Sequence, residues 1–193
     1  MKRFLLITAV VLFCLAAAGG TYAYYTVSST AHNVITTGGV KIAVEEWQQS
    51  DQGMIPYPKD SVAVMPGRQV SKIVNIRNLD KKCYVRTRIE ATILDPEGNT
   101  VVLSSKEADD LLHLSINPDY WQKKGQDKIW WYYYRALSED TVTEPLFDTV
   151  IFDGKKMGNR YQDYTIQIRV IAQAVQADNN AATAMTALGW PAE

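Results

Sequence analysis

Cysteine is nearly absent from this chain. Among 193 residues there are two, Cys14 and Cys83. Small secreted scaffolds that rely on cross-links carry far more, so an internal disulfide framework is excluded and the fold has to rest on packing. Histidine is equally scarce, with only His32 and His113. No HExxH, CxxC, phosphate-cradling glycine loop or nucleophile elbow occurs, and zinc centres need three or four converging ligands. The acidic pairs Glu45-Glu46, Asp109-Asp110 and Glu139-Asp140 are sequence neighbours. Neighbours on a strand point to opposite faces, so the pairs read as solvated surface charge. Nor do the carboxylates follow a calcium-loop pattern. The expectation is no catalytic residue, no cofactor and no metal. There is also no strong excess of either charge: 20 basic residues stand against 21 acidic ones. Such a balance argues against nucleic acid and anionic membrane as partners.

What is present begins at the N-terminus. Lys2 and Arg3 precede an apolar run from Phe4 to Ala18, which Gly19-Gly20 breaks, and Thr21-Tyr22-Ala23 follows. This is the charged, apolar, small-residue order of a secretory signal, with cleavage expected between Ala23 and Tyr24. The run is shorter than the ~20 residues of a membrane span. An uncleaved N-terminal anchor is the other reading. Phe13 before Cys14 does not suit a lipoprotein signal. Without residues 1–23, 170 residues remain, with 18 basic and 21 acidic side chains and a net charge of −3. That length suits one domain.

The remainder alternates with a period of two. Val40, Ile42 and Val44 alternate with polar or small residues. Cys83, Val85, Thr87, Ile89, Ala91 and Ile93 alternate with Tyr84, Arg86, Arg88, Glu90 and Thr92. Tyr164, Ile166, Ile168, Val170, Ala172 and Ala174 do the same near the end. Each pattern predicts a strand with one buried and one wet face, and places Cys83 in the core as a small apolar residue. Segments 70–78, 111–116, 129–136 and 146–152 are further candidates. Seven strands in one domain predict an antiparallel β-sandwich. Asp95-Pro96-Glu97-Gly98-Asn99 reads as a hairpin turn. Residues 153–159 read as a loop, as do 123–128, and 106–112 as one helical turn. At the C-terminus, Asp178 is an expected N-cap for a short alanine-rich helix within 178–193, with Ala181, Ala184, Met185 and Leu188 on one stripe and Gly189 ending it.

Two stretches invite a functional reading. Trp130 to Tyr134 is five consecutive aromatics. On a strand, Trp130, Tyr132 and Tyr134 share one face, while Trp131, Tyr133 and Arg135 share the other. Arg135 marks its face as exposed. Core packing with cross-strand pairing is one account. A surface platform of Trp131 and Tyr133, for sugar stacking or subunit contact, is another. The second stretch is Tyr24, Tyr25, Thr26, Val27, Ser28, Ser29, Thr30, Ala31, His32 and Asn33. It is β-prone, uncharged and free of Pro and Gly. Such a segment pairs readily with an open sheet edge. It has two destinations: first strand of its own domain, or an added strand on a neighbouring copy. Thr36, Thr37, Gly38 and Gly39 are a candidate hinge between them, so 24–39 reads as strand and hinge and 40–177 as the sandwich.

These stretches together resemble the TasA/camelysin (CalY) family. Gly19 to Tyr25 is similar to its signal junction, cut by a dedicated signal peptidase, SipW. Asn33 to Val44 is similar to its first strand, and Met65-Pro66-Gly67-Arg68 followed by Lys72 to Asn78 to its "PG…v.N" stretch. Tyr84 to Ile89 resembles the strand after it. Trp130 to Tyr134 with Glu144 to Phe147 resembles a late hairpin, and Ala172 to Asp178 a closing strand. The resemblance implies a jelly-roll-like sandwich, secretion to the extracellular matrix or cell surface, and fibres built by donor-strand pairing. The donor would be Tyr24 to Asn33, and the partners other copies of the chain, the signal peptidase during export, and matrix proteins or polysaccharide. Two other functions stay open: a polysaccharide-binding module, and a secreted metallopeptidase as some camelysin-type members are classed. The chain offers no ligand set for the latter.

Overall fold

A computed structural model describes residues 25–32, 39–58, 62–64, 67–102, 110–125, 129–161 and 163–191. The signal and its junction, Ala23 and Tyr24, lie outside them, as do Asn33 and the candidate hinge except Gly39. The expected helical turn at 106–112 falls mostly outside as well. The architecture is an all-β sandwich of two sheets. One sheet contains β1 (Tyr25–His32), β4 (Val62–Val64), β6 (Cys83–Leu94), β7 (Thr100–Val101), β9 (Trp121–Lys123), β10 (Trp131–Tyr133) and β12 (Thr165–Gln176). Its order is β4-β1-β12-β6-β10-β9, with β7 also on β6. The second sheet contains β2 (Ile42–Ser50), β3 (Gly53–Pro56), β5 (Gln69–Asn78), β8 (Leu112–Ile116) and β11 (Phe147–Phe152), ordered β3-β2-β5-β11-β8.

The long alternating runs form the spine of the first sheet. β6 and β12 pair antiparallel from Leu94↔Thr165 to Cys83↔Gln176. Their core-facing residues, among them Val85, Ile93, Ile166, Ile168, Val170 and Ala172, are buried. From the other sheet, Ile42, Val44, Val74, Ile76, Phe147, Val150 and Phe152 meet them. Burying one such aliphatic side chain stabilises the fold by about 1.5–3 kcal/mol. Cys83 belongs to this core, as its alternation predicts.

The hairpin between β6 and β7 also forms as predicted. The Asp95 carboxylate accepts from the Asn99 backbone N–H at 2.7 Å and from its side-chain amide at 3.0 Å. These bonds hold the Asp95 carboxyl below its usual range. Gly98 takes a φ of 86°, a region that costs glycine nothing.

Several expectations are corrected. The described chain has twelve strands rather than seven; β3, β4, β7 and β9 are too short to leave a periodic signature. One pairing is parallel: β1 lies along β12. The segment 153–159 is not a plain loop. Asp153 accepts from the backbone N–H of Lys155 and Lys156 and caps α1 (Gly154–Met157), whose Met157 enters the core, and a 3-10 turn (Gly158–Tyr161) follows. The late hairpin does not form either, since β10 and β11 belong to different sheets.

The C-terminal helix is also absent among the described residues. Residues 178–191 form successive turns. Asn180, not Asp178, organises them. Its Oδ1 accepts from the Ala181 and Leu188 backbone N–H groups, and its Nδ2 donates to the Gln176 and Leu188 carbonyls. An Asn that satisfies both ends of the segment competes directly with the helical hydrogen-bond ladder. Ala184 and Ala187 are buried, whereas Leu188 is exposed.

Burial pushes the Cys83 thiol up to about 12. Its raised value in the fold means that its contribution is complete below the unfolded thiol range near 8.5 and is lost as pH rises toward 12. The expected outcome is a stability that falls between about pH 9 and 12, with Cys83 contributing up to about 1.4 kcal/mol per pH unit. Denaturant titrations of the unmodified chain and of Cys83→Ala will show this as a shallower alkaline slope in the variant. In the native protein at neutral pH, Cys83 does not react with a thiol probe.

Candidate functional site

The segment singled out for assembly is a strand of its own domain. β1 lies parallel to β12 from Thr26↔Thr165 to His32↔Ile171. On its other side is β4, which pairs with only Tyr25, Thr26 and Val27. Beyond Val27, β1 is therefore paired on one side only among the described residues. The connection from β1 leads to β2 in the opposite sheet. Of the two destinations expected from its composition, the single chain displays the first. Strand-to-strand bonds of this kind are made by backbone groups.

Of the two accounts of the aromatic run, its placement fits core packing with aromatic pairing and not an exposed platform. Tyr133, assigned to an exposed platform, is fully buried in the inter-sheet core and packs on Trp121 with ring centres 5.1 Å apart. Its hydroxyl donates to the Glu144 carboxylate, which also accepts from Arg135 at 3.3 Å. Burial and then Glu144 push the Tyr133 hydroxyl up to about 12. Trp131 is half-buried against the same core, with the Lys123 ammonium 4.5 Å from its ring centre. Tyr133 therefore presents no open surface for sugar, and a platform pairing it with the half-buried Trp131 does not form. The reason is the carboxylate of Glu144, which gives a buried tyrosine a partner inside the protein.

On the opposite face of the run Trp130 and Tyr132 are buried too, whereas Tyr134 is exposed. Trp130 and Tyr132 form a second cluster with Tyr84, Val175, Ala184 and Ala187, and Trp190 packs against it. At its centre Arg86, 8% exposed, lies between two indoles, 4.1 Å from the Trp130 ring centre and 4.8 Å from that of Trp190. Its Nε donates to Gln173 Oε1 at 2.8 Å and an Nη donates to the Pro191 carbonyl at 3.2 Å. The Tyr84 hydroxyl donates to the Ala181 carbonyl at 2.8 Å. The turns of 178–191 thus strap the outer face of β6 and β12, and the halves of those strands nearest the strap are buried on both faces. Alternation predicted a wet face there. Arg86 in a polar position of β6 gave no sequence signal that a distant Trp190 would cover it.

A second buried charge escaped the sequence reading. Lys72 is fully buried, with its ammonium 2.9 Å from Glu46 Oε1 and 4.0 Å from the Tyr57 ring centre. Burial lowers the Lys72 pKa against the opposing pull of Glu46. It pushes the Tyr57 hydroxyl up to about 12, with Glu46 adding to the rise. Glu46 is therefore a partner to a core lysine, not solvated surface charge. Its neighbour Glu45 pairs with Arg77 on the outer face at 2.5 Å.

The remaining candidates stay dispersed. His113 is exposed on β8, as its position between two leucines predicts. No group of three or more His, Cys, Asp or Glu positioned to hold a metal ion occurs among the described residues. An open cavity of about 510 Å³ beside His113 is lined by Gly67, Ile151, Asp153 and Lys155, but Asp153 is already engaged as the cap of α1. Comparison with known proteins matches this chain to no family model, no characterised protein and no solved structure.

Two measurements check this geometry. Lys72→Met removes the ammonium 2.9 Å from the Glu46 carboxylate and is expected to cost about 3–5 kcal/mol, whereas Glu46→Leu combined with Lys72→Met recovers most of that loss. For the strap, Arg86→Lys keeps the charge but loses the planar stack and fork, with an expected cost of about 2 kcal/mol. Urea unfolding of each variant reads both.

Proposed function

We propose that this protein is an extracellular structural subunit that polymerises by exchanging β1 between copies. In that arrangement the Tyr24–Asn33 segment of one copy lies along β12 of the next. The observation that carries the reading is the setting of β1. It is an uncharged strand without Pro or Gly, held parallel to β12 along most of its length and, among the described residues, covered on its other side only by three-residue β4. Exchange conserves every backbone bond of the single chain, so the thermodynamic difference between closed monomer and polymer is small and local. The hinge then decides it. A contact in which one copy donates and the next accepts is heterologous and does not close on itself, and so propagates as a filament.

Secretion fits the same reading. Cleavage after Ala23 frees Tyr24 and the strand behind it, and an uncleaved segment keeps β1 tethered and withholds it from a neighbour. The scarcity of cysteine and the modest net charge suit a subunit that adheres through backbone pairing instead of cross-links or strong fields.

Electron microscopy of the secreted protein tests the proposal, alongside the same protein lacking residues 24–33. Filaments are expected from the first and not from the second. A synthetic peptide of residues 24–33 is expected to bind the shortened chain and raise its melting temperature by filling the slot beside β12. Filaments forming from the shortened chain at an undiminished rate would overturn the exchange.

A further inference from the structure

The sandwich has a second place for a partner strand, at the opposite side of the other sheet. β8 is the edge strand there, and among the described residues its outer side is unpaired. The other edges are protected by the usual means. β3 is four residues long and ends in Pro56, β9 is three residues long and carries Lys123, and β4 is three residues long. β8, five residues of sequence Leu-His-Leu-Ser-Ile, carries neither a proline nor a Lys, Arg, Asp or Glu.

The hydrogen-bond phase of this edge can be read from its flanks. The Asp153 N–H donates to the Leu111 carbonyl at 3.1 Å, and the Asn117 N–H to the Leu146 carbonyl at 3.3 Å. Leu111 and Asn117 therefore direct their backbone groups toward β11. In an antiparallel ladder the direction alternates residue by residue. The N–H and C=O groups of Leu112, Leu114 and Ile116 consequently point away from β11, out of the sheet. A bulge on β11 does not disturb this phase, because the extra residue lies on β11 and the Ser115 hydroxyl accepts from the Thr149 N–H across it at 2.9 Å. The side chains of the same three residues pack on the core but are only half-buried, whereas His113 and Ser115 are exposed.

We infer that β8 pairs antiparallel with β8 of a second copy, about a two-fold axis at Leu114. In this register Leu114 faces Leu114 of the second copy and Leu112 faces Ile116. Each of these pairs exchanges both of its N–H···O bonds, so every outward-pointing backbone group of the strand is used. His113 faces Ser115 on the wet side, and no like charges meet. The apolar side chains left half-buried at the edge gain a continuation of their own sheet. The apolar-polar alternation of the strand reads the same in both directions, which is what an isologous contact requires. The two five-stranded sheets become one continuous sheet. An edge contact of this size lies below the standard interface range, so the pair forms with rising concentration instead of permanently. It is independent of β1 exchange, and between subunits of neighbouring filaments it acts as a lateral tie.

Cross-linking tests the register, in a Cys14→Ala background with Cys83 buried. In a hydrogen-bonded pair the Leu114 Cα atoms stand about 5.5 Å apart, within disulfide reach. Two His113 residues are diagonal to one another, near or beyond that reach. Under mild oxidation Leu114→Cys is expected to give covalent dimer roughly tenfold faster than His113→Cys. Equal rates, or none from Leu114→Cys, overturn the inference. Hydrogen exchange on the unmodified protein gives a readout that needs no substitution. The amides of Leu112, Leu114 and Ile116 are expected to gain protection as concentration rises. Fast exchange of all three at every concentration also overturns it. A chain that dimerises in this way but forms no filaments would count against β1 exchange and leave this contact standing.

Discussion

β6 and β12 pair over twelve consecutive residues, and most of the molecule is arranged by that ladder. On one side β12 carries β1; on the other β6 carries β10 and β7. One face of the pair supplies much of the inter-sheet core, and the other supports the strap formed by residues 178–191. The two strands are separated in sequence by the whole of the second sheet's distal half, so their pairing closes a long loop whose entropy must be offset by burial. The continuous aliphatic face of Ile166, Ile168, Val170 and Ala172 opposite β2, β5 and β11 provides that offset.

The same ladder bears on the proposed exchange of β1. β12 is already fixed along its other side by β6, so the slot for β1 is preorganised by contacts that β1 does not make. A strand that leaves such a slot does not dismantle the sheet behind it. The neighbouring β4 contributes three residues and adds little resistance. By contrast, the strap on the outer face is held through side-chain bonds of Arg86, Tyr84 and Asn180 to particular partners. Backbone-mediated attachment tolerates a substitute strand, whereas side-chain-mediated attachment does not.

Among the described residues, buried charge is used twice, in two different ways. Arg86 is enclosed by indole faces and carbonyl or amide oxygens, so its charge is spread over acceptors that are not themselves ionised. Among the described residues, Lys72 faces the Glu46 carboxylate and the Tyr57 ring. Arginine suits the first setting because its planar, weakly hydrated group stacks and forks; lysine suits the second as a compact point charge. Both add definition to a core that has no disulfide.

The sequence by itself determined that this is an all-β sandwich, where the longest strands lie, that Cys83 is interior, and how the β6–β7 hairpin turns. Those features follow from period-two alternation and turn chemistry, which depend on near neighbours. It also marked β1 as an uncharged strand. Only the tertiary structure decided which face of Trp130 to Tyr134 is covered and by what, that Tyr133 turns inward to Glu144, that Glu46 finds Lys72, and that residues 178–191 form a strap instead of a helix. Each of those depends on a partner many residues away. A polar side chain on an alternating strand reads as wet until a distant segment arrives to cover it, and an alanine-rich stretch reads as helix until an Asn and a sheet face offer its backbone another set of bonds.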